Sequence, residues 1–250
     1  MKPLIIANWK MNPVTLQEAK RSFELIKKAV ENMKEVEVII CPPFIFLPVL
    51  KPNKKIGFGA QDCFWEDEKG AFTSAISPAM LKSLGCQYVI LGHSERRVYF
   101  KEDDRIINKK VKAALRNGLK VILCAGEKKE GKLQELQRQL EKNLENIKKS
   151  DLANLVLAYE PIWAIGGFGG RPASVKEAIR GAAVIRKTLS KIFGETLAKK
   201  IKILYGGSAS QNPEIYIYEA GMAGLVIGST SAMAKEFINV LEAIRFPRAA

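Results

Sequence analysis

Short apolar runs recur along the chain, and most of them are apolar at every position rather than at alternate positions. This pattern is typical of strands in a parallel sheet that is buried on both faces. The predicted strands cover residues 4–7, 36–41, 56–60, 88–91, 121–124, 155–159, 201–205 and 224–227. The sequence therefore predicts eight parallel strands.

Helical patterns lie between these runs. Thr15 and Glu18 form a capping box, and so do Ser174 and Glu177, whose helix should run to about Phe193. The first helix buries one apolar face at Ala19, Phe23, Ile26, Val30 and Met33.

Other helix signals fill the remaining gaps. Ser77 and Asn212 each precede a proline, which predicts an N-cap followed by proline at the first helical position. Residues 132–149 form a charged pattern with regularly spaced leucines, which predicts a solvated outer helix.

Eight strand–helix units within 250 residues predict an α/β fold of the (β/α)8 barrel type, as a single domain over residues 1–250. A doubly wound sheet is the alternative. Such sheets use fewer strands at this length and usually carry a glycine-rich turn after the first strand. Residues 8–11 read Asn-Trp-Lys-Met instead, which favours the barrel.

Composition adds constraints on location and metal content. Hydrophobic residues make up 47% and charged residues 26%, as in ordinary globular proteins. No apolar stretch approaches the roughly 18 residues that span a bilayer, and the N-terminus has too short an apolar core for a signal peptide. The four cysteines are scattered and there is one histidine, so no metal site is expected. We expect a cytoplasmic protein with reduced thiols and no membrane association.

The net charge of +14 has two possible meanings. Specific nucleic-acid binding requires basic residues gathered with aromatic residues on one surface. The paired lysines at 27–28, 109–110, 148–149 and 199–200 are instead spread along the chain, on predicted helix exteriors. No specific nucleic-acid partner is expected, and the charge serves either attraction of small anions or solubility.

Polar residues follow several predicted strands, at the end where such barrels build their active sites. The candidate positions are Asn8, Lys10, His93, Ser94, Glu95, Arg96, Glu160, Gly166, Gly167, Gly206, Gly207, Ser208, Gly228 and Ser229. A lone histidine such as His93 is by itself more often structural than catalytic. Its neighbours here favour a functional role.

Glycine-rich turns follow the last two strands, where barrels commonly bind phosphate through backbone N–H groups. One such turn is compatible with a simple tight turn. Two on adjacent strands favour a phosphate site.

Several segments also carry a family resemblance. They are Asn8-Trp-Lys-Met-Asn12, Gly70-Ala-Phe-Thr73, the stretch 88–97 with Gly-His-Ser-Glu-Arg-Arg, Tyr159-Glu-Pro-Ile-Trp-Ala-Ile-Gly166 and Tyr205-Gly-Gly-Ser208. In order and over the full length they closely resemble the triosephosphate isomerase family. The resemblance implies interconversion of dihydroxyacetone phosphate and D-glyceraldehyde 3-phosphate through an enediolate, in glycolysis and gluconeogenesis, without a cofactor or metal.

The resemblance also assigns catalytic roles, and the pairing of a glutamate base with a neutral histidine is the family's known arrangement. Glu160 matches the base, and His93 matches the neutral donor that polarises the carbonyl. Lys10 would offset negative charge, and Asn8 would add a hydrogen bond to the substrate. Glu95 matches the carboxylate that holds Lys10, although a solvent-facing glutamate is an alternative reading of that residue.

The remaining implied parts concern substrate binding and assembly. Backbone N–H groups of Gly166, Ser208, Gly228 and Ser229 would bind the phosphate, together with Asn8 and Lys10. Residues 161–173 resemble a lid that closes over the substrate. Cys124 matches a position near the base, or is simply a small buried residue. The loop from Asp62 to Thr73 resembles the family's dimer loop, which predicts a homodimer.

Three departures from the family pattern leave alternatives open. The lid tip, residues 166–172, is about two residues longer than is usual in the family and is rich in glycine. The glycines oppose closure of the lid unless Phe168 packs on the barrel rim. Ser229 replaces a glycine, which is costly only if its φ is positive. Ala75 replaces the glutamate that pairs with the arginine matching Arg96 across the dimer. Arg96 is then more exposed, or another acid replaces the glutamate, or the dimer is weaker.

These departures keep two rival functions in view. One is a barrel that binds phosphorylated metabolites but has reduced or lost turnover, because of the altered lid and Ser229. The other is a basic RNA-binding or scaffolding protein.

Overall fold

A computed structural model describes residues 2–67 and 69–247. Eight parallel strands close into a barrel in which each strand pairs with its neighbours in sequence, and β1 pairs with β8. The strands are β1 Leu4–Asn8, β2 Glu37–Cys41, β3 Ile56–Ala60, β4 Tyr88–Leu91, β5 Lys120–Ala125, β6 Leu155–Tyr159, β7 Lys202–Tyr205 and β8 Gly224–Ile227. The predicted barrel is confirmed, and so are all eight strands to within one residue at each end.

The strands are buried on both faces, as their continuous apolar runs predict. One set of side chains fills the barrel interior, and it includes Leu4, Ile6, Ile90 and Leu204. The alternating set, which includes Ile5, belongs to the larger core beneath the surrounding helices. This packing fixes the strand ends, from which the candidate site residues project.

The surrounding helices are α1 Leu16–Glu31, α2 Pro78–Ser83, α3 Ser94–Tyr99, α4 Asp104–Arg116, α5 Leu133–Asn143, α6 Val175–Phe193, α7 Glu195–Ala198, α8 Pro213–Tyr218 and α9 Ala234–Arg245. Both predicted capping boxes are present, at Thr15 and Ser174, and the five predicted apolar positions of α1 and its C-terminal turn are buried. No helix among the described residues is long and apolar enough to cross a membrane.

Two helix predictions need correction. The helix predicted over residues 132–149 ends at Asn143. Asn108 donates from Nδ2 to the carbonyls of Asn143 and Glu145, and Asn146 has φ +58°, so the chain turns and buries Ile147. Separately, Asn212 precedes α8 but makes no side-chain capping bond.

The prediction that Lys110 lies on a helix exterior is wrong. Lys110 is 3% exposed, and its Nζ lies 2.8 Å from both carboxylate oxygens of Asp62 and 2.6 Å from Oε1 of Glu102. The Nε of Arg96 lies 2.6 Å from Glu102 Oε1 and 3.0 Å from Asp62 Oδ2. Loss of water on burial raises the pKa of Asp62 to about 6, against the opposing effect of the Lys110 ammonium group.

This cluster bears on the missing acid at Ala75. Two cations and two carboxylates of the same chain balance one another, with Asp62 and Glu102 serving Arg96 directly. Of the three alternatives left by the sequence, the structure therefore supports replacement by another acid. A half-buried arginine that keeps carboxylate partners avoids the cost of an unpaired charge.

Candidate active site

The predicted site residues converge on one pocket at the carboxyl ends of the strands. Its volume is about 260 Å³, and its wall includes Asn8, Lys10, His93, Gly166, Ser208, Gly228 and Ser229. Glu160 and Glu95 lie beside it, in contact distance of His93 and Lys10. Five strands, β1, β4, β6, β7 and β8, thus contribute to a single site only because the sheet closes on itself.

His93 is the N-cap residue of α3, and its tautomer follows from its hydrogen bond. The backbone N–H of Glu95 donates to His93 Nδ1 at 3.3 Å, so in this bond Nδ1 is an acceptor and carries no proton. A neutral imidazole with an acceptor Nδ1 has its proton on Nε2. His93 Nε2 lies 3.5 Å from Oε1 of Glu160, which makes it a donor directed towards this carboxylate.

Glu160 directly follows β6 and is 1% exposed. Its Oε2 accepts a hydrogen bond from the backbone N–H of Ser94 at 3.3 Å. Its Oε1 is buried and has no hydrogen-bond partner among the described residues. An unsatisfied buried acceptor costs about 1–3 kcal/mol, so this oxygen would gain a hydrogen bond if the carboxylate turned towards a group in the pocket.

Lys10 is held in place from both ends. Its backbone has φ +54°, unusual for a residue with a side chain, and its carbonyl accepts from Gln61 Nε2 at 2.8 Å. Its Nζ lies 2.6 Å from Glu95 Oε1. Asn8 Oδ1 accepts from the Lys10 backbone N–H at 3.1 Å, which leaves the amide NH₂ of Asn8 as the group that can donate to a substrate.

The expected phosphate turns are present, but two of their donors are engaged within the protein. The N–H of Gly166 donates to Ser208 Oγ at 2.8 Å, and the N–H of Ser208 donates to the carbonyl of Ala164 at 3.0 Å. A phosphate that used these two groups would have to replace both bonds. Gly228 and Ser229 lie in the wall of the same pocket.

Ser229 carries no left-handed strain. It begins a short 3-10 turn over Ser229–Ala232 and is not among the residues with positive φ. The energetic objection to a serine at this position therefore does not apply.

Cys124 lies inside the barrel and is fully buried. Burial and the neighbouring Glu160 raise the pKa of this thiol well above its usual value. Cys124 is therefore a neutral, small packing residue beside Glu160, and not a thiolate.

Sequence reasoning missed Glu127 and Tyr205. Glu127 is buried two residues after β5, and its Oε1 accepts from Tyr159 Oη at 2.9 Å and from Trp163 Nε1 at 2.8 Å. Tyr205 Oη accepts from the N–H of Ala173, at the far end of the lid, at 3.4 Å. The sequence signal that could identify Glu127 is its place just after a predicted strand, which is the position that the other candidate residues share.

A closed parallel barrel that gathers a carboxylate, an imidazole and an ammonium group beside two glycine turns defines a class of protein. It is a barrel enzyme that moves protons within a small phosphorylated substrate. A family model described as triosephosphate isomerase matches residues 3–244. The chain belongs to the triosephosphate isomerase family, whose reaction interconverts dihydroxyacetone phosphate and D-glyceraldehyde 3-phosphate in glycolysis.

Curated relatives agree with this assignment over nearly their whole length. A triosephosphate isomerase from Thermoanaerobacter pseudethanolicus is 40% identical over 249 residues, which cover 96% of this chain and 98% of the relative. One from Dictyoglomus thermophilum is 40% identical, with 96% and 99% covered. One from Dehalococcoides mccartyi is 43% identical, with 96% of both chains covered. These relatives give no support to a binding barrel without turnover.

Proposed function

We propose that this chain catalyses the interconversion of dihydroxyacetone phosphate and D-glyceraldehyde 3-phosphate with Glu160 as base and His93 as electrophile. The observation that carries the proposal is the buried, unpartnered Oε1 of Glu160, 3.5 Å from His93 Nε2 at the edge of a phosphate-sized pocket. Oε1 of Glu160 makes no hydrogen bond among the described residues, so no protein bond at this atom opposes its turning from the buried position towards a substrate in the pocket.

The reaction requires one proton to leave a carbon and another to return to its neighbour. Glu160 removes the proton from the carbon that bears the hydroxyl group, and the electron pair moves onto the carbonyl oxygen, which becomes negative. His93 Nε2–H donates to that oxygen, and Lys10 lies near enough to offset its charge. The proton of the hydroxyl group passes to the negative oxygen, the C–O bond that it leaves becomes the new carbonyl, and Glu160 returns the carbon-bound proton to the adjacent carbon. The base is thereby regenerated and no redox partner is needed.

Glu95 serves as a positioning residue in this scheme. One of its oxygens lies 2.6 Å from Lys10 Nζ, while its backbone N–H donates to His93 Nδ1. A single residue thereby sets the place of the ammonium group and the tautomer of the imidazole. The phosphate binds between the turns at Gly166 and Ser208 and those at Gly228 and Ser229.

A coupled assay with either triose phosphate tests the proposal. We expect turnover that is largely lost when Glu160 is replaced. We also expect competitive inhibition by phosphoglycolate, a phosphorylated carboxylate of similar size. Phosphoglycolate binding without turnover would instead support the barrel with lost activity. A salt-dependent complex with RNA, in a protein without turnover, would support the basic scaffold.

We expect Gly206→Ala to lower kcat by about ten- to a hundredfold, because displacement of a catalytic group by about 1 Å can cost that much. A β-carbon on Gly206 would lie 2.7 Å from Cγ of Glu160 and 3.3 Å from its Oε1. Steady-state kinetics and phosphoglycolate titration measure the effect. Wild-type kcat in a correctly folded variant would show that the Glu160 side chain tolerates a shift.

Members of this family are typically dimers, and we infer that this chain forms its dimer through the loop from Asp62 to Thr73. Phe64 stacks on Trp65 at 4.0 Å and lies 4.9 Å from Phe72, which is 47% exposed. Met11 and Ile45, in loops after the neighbouring strands β1 and β2, are 91% and 72% exposed. Apolar side chains at one rim are the usual content of an interface.

The ion cluster sets a specific expectation for this dimer. Sedimentation velocity at several concentrations should show a dimer, and Ala75→Glu alone should not strengthen it, because Asp62 already serves Arg96. Asp62→Asn combined with Ala75→Glu should dissociate less readily than Asp62→Asn alone, because Asp62→Asn leaves the two cations Arg96 and Lys110 to share the single carboxylate of Glu102. A monomer at all concentrations, with full activity, would contradict the inferred interface.

Cytoplasmic location and a single domain over residues 1–250 complete the proposal. Four buried, unpaired cysteines are compatible with a reducing compartment.

A further inference from the structure

The lid tip carries one large apolar side chain, Phe168, with two glycines on either side. Its half-buried ring lies 6.3 Å from the ring of Tyr99, with an angle of 22° between the planes. Gly169 has φ +75°, and a β-carbon on Gly170 would collide with the carbonyl of Trp163. The glycines around Phe168 therefore let the chain make the turn that sets this ring against the barrel rim.

Tyr99 connects this contact to the catalytic groups. It is the last residue of α3, the helix that begins after His93 and carries Glu95 in its first turn. Tyr99 is 66% exposed, so its ring is not part of the hydrophobic core. An exposed ring that receives the lid tip is placed for contact with the lid and not for core packing.

The other limb of the lid has a separate attachment. Arg171 donates to both carboxylate oxygens of Glu177, at 2.6 and 3.0 Å, and its guanidinium lies 4.9 Å from the centre of the Trp163 ring. A bidentate pair of this kind restrains the chain more firmly than a single contact. Gly166 is bound to Ser208 on one side and Arg171 to Glu177 on the other. The part of the lid that makes no side-chain polar contact among the described residues is residues 167–170, where Phe168 is the large side chain.

We propose that Phe168 and Tyr99 are positioning residues for the isomerisation, because their stacking holds the elongated lid tip across the substrate pocket. The contact offsets the conformational entropy that four glycines lose when the tip is ordered. The sequence left two alternatives, a lid whose closure is opposed by its glycines and a lid held on the barrel rim by Phe168. The contact favours the second, in which Phe168 acts as a clamp. The inference rests on the proposed function, since it concerns closure over that substrate.

The test compares Phe168→Ala, Tyr99→Ala and the double variant by phosphoglycolate affinity, KM and kcat. An aromatic pair of ordinary strength predicts about two- to tenfold weaker phosphoglycolate binding in each single variant, with a higher KM. The double variant should bind phosphoglycolate as tightly as the single variant with the lower affinity, because both changes remove the same contact. The separate variants Phe168→Tyr and Tyr99→Phe each keep both rings and should retain wild-type affinity for phosphoglycolate.

Phe246→Ala is the matched control, because Phe246 is 64% exposed and lies at the end of α9, outside the pocket wall. It should leave the affinity unchanged. Unchanged affinity in Phe168→Ala and Tyr99→Ala, or effects that simply add in the double variant, would overturn the proposal. If Tyr99→Ala fails to fold, Phe168→Leu decides, since a wild-type affinity without the ring also overturns it.

Failure of the proposed function looks different in this experiment. If phosphoglycolate binding depends on the two rings but the wild-type protein turns over neither triose phosphate, the proposed reaction is rejected and the role of the Phe168–Tyr99 contact is kept. Normal turnover with ring-independent binding would reject the clamp alone.

Discussion

Glu160→Gln is expected to lower kcat by about 10²- to 10⁴-fold, the usual cost of losing a general base. This corresponds to about 3–5.5 kcal/mol of transition-state stabilisation. Glutamine keeps the shape of the side chain and an oxygen that can accept from the Ser94 N–H, so the pocket should stay intact. It lacks only the basic oxygen.

Phosphoglycolate affinity serves as the internal control for Glu160→Gln. It should fall far less than kcat does, because the phosphate turns at Ser208 and Gly228 are untouched. Retention of more than half the wild-type kcat would remove Glu160 from the role of base.

His93→Gln should be the second large loss, and it should fall on kcat more than on KM. A donor aimed at a developing oxyanion acts mainly in the transition state, and removal of one such donor typically costs about 10²- to 10³-fold. Glutamine can still donate, but it cannot reproduce the ring whose Nδ1 is fixed by the Glu95 N–H.

The ratio of the two kinetic constants decides the role of His93. Steady-state kinetics in both directions would supply it. If KM rises and kcat is unchanged, His93 positions the substrate and is not the electrophile.

The barrel and the proximity of His93 to Glu160 were predictable for a physical reason. Strands buried on both faces must be apolar at every position, so β3, β4, β6 and β8 are visible in the sequence at their actual bounds. Polar residues directly after such strands, such as His93 and Glu160, stand out against that background. Their meeting in one pocket follows from closure of the sheet.

Other features depend on contacts that the local sequence does not encode. Lys110 has the pattern of a solvent-facing helix residue, and it is buried because Asp62, 48 residues away, supplies a carboxylate. The early end of α5 depends on Asn108 of a different helix. The role of Glu127 depends on Trp163, which reaches it from the next loop. Each is a tertiary effect that overrides a local preference.

The pairing of β1 with β8 also governs the order in which this enzyme can mature on the ribosome. Leu4 pairs with Gly224, so the strand that carries Asn8 must wait for 220 further residues to be synthesised. At about 5–20 residues per second that delay is about 10–45 s. During this delay one edge of β1 lacks its partner strand β8, and Lys10 lacks the neighbouring turn at Gly228. The nascent chain therefore acquires its active site only after β8 has been synthesised and completes the ring.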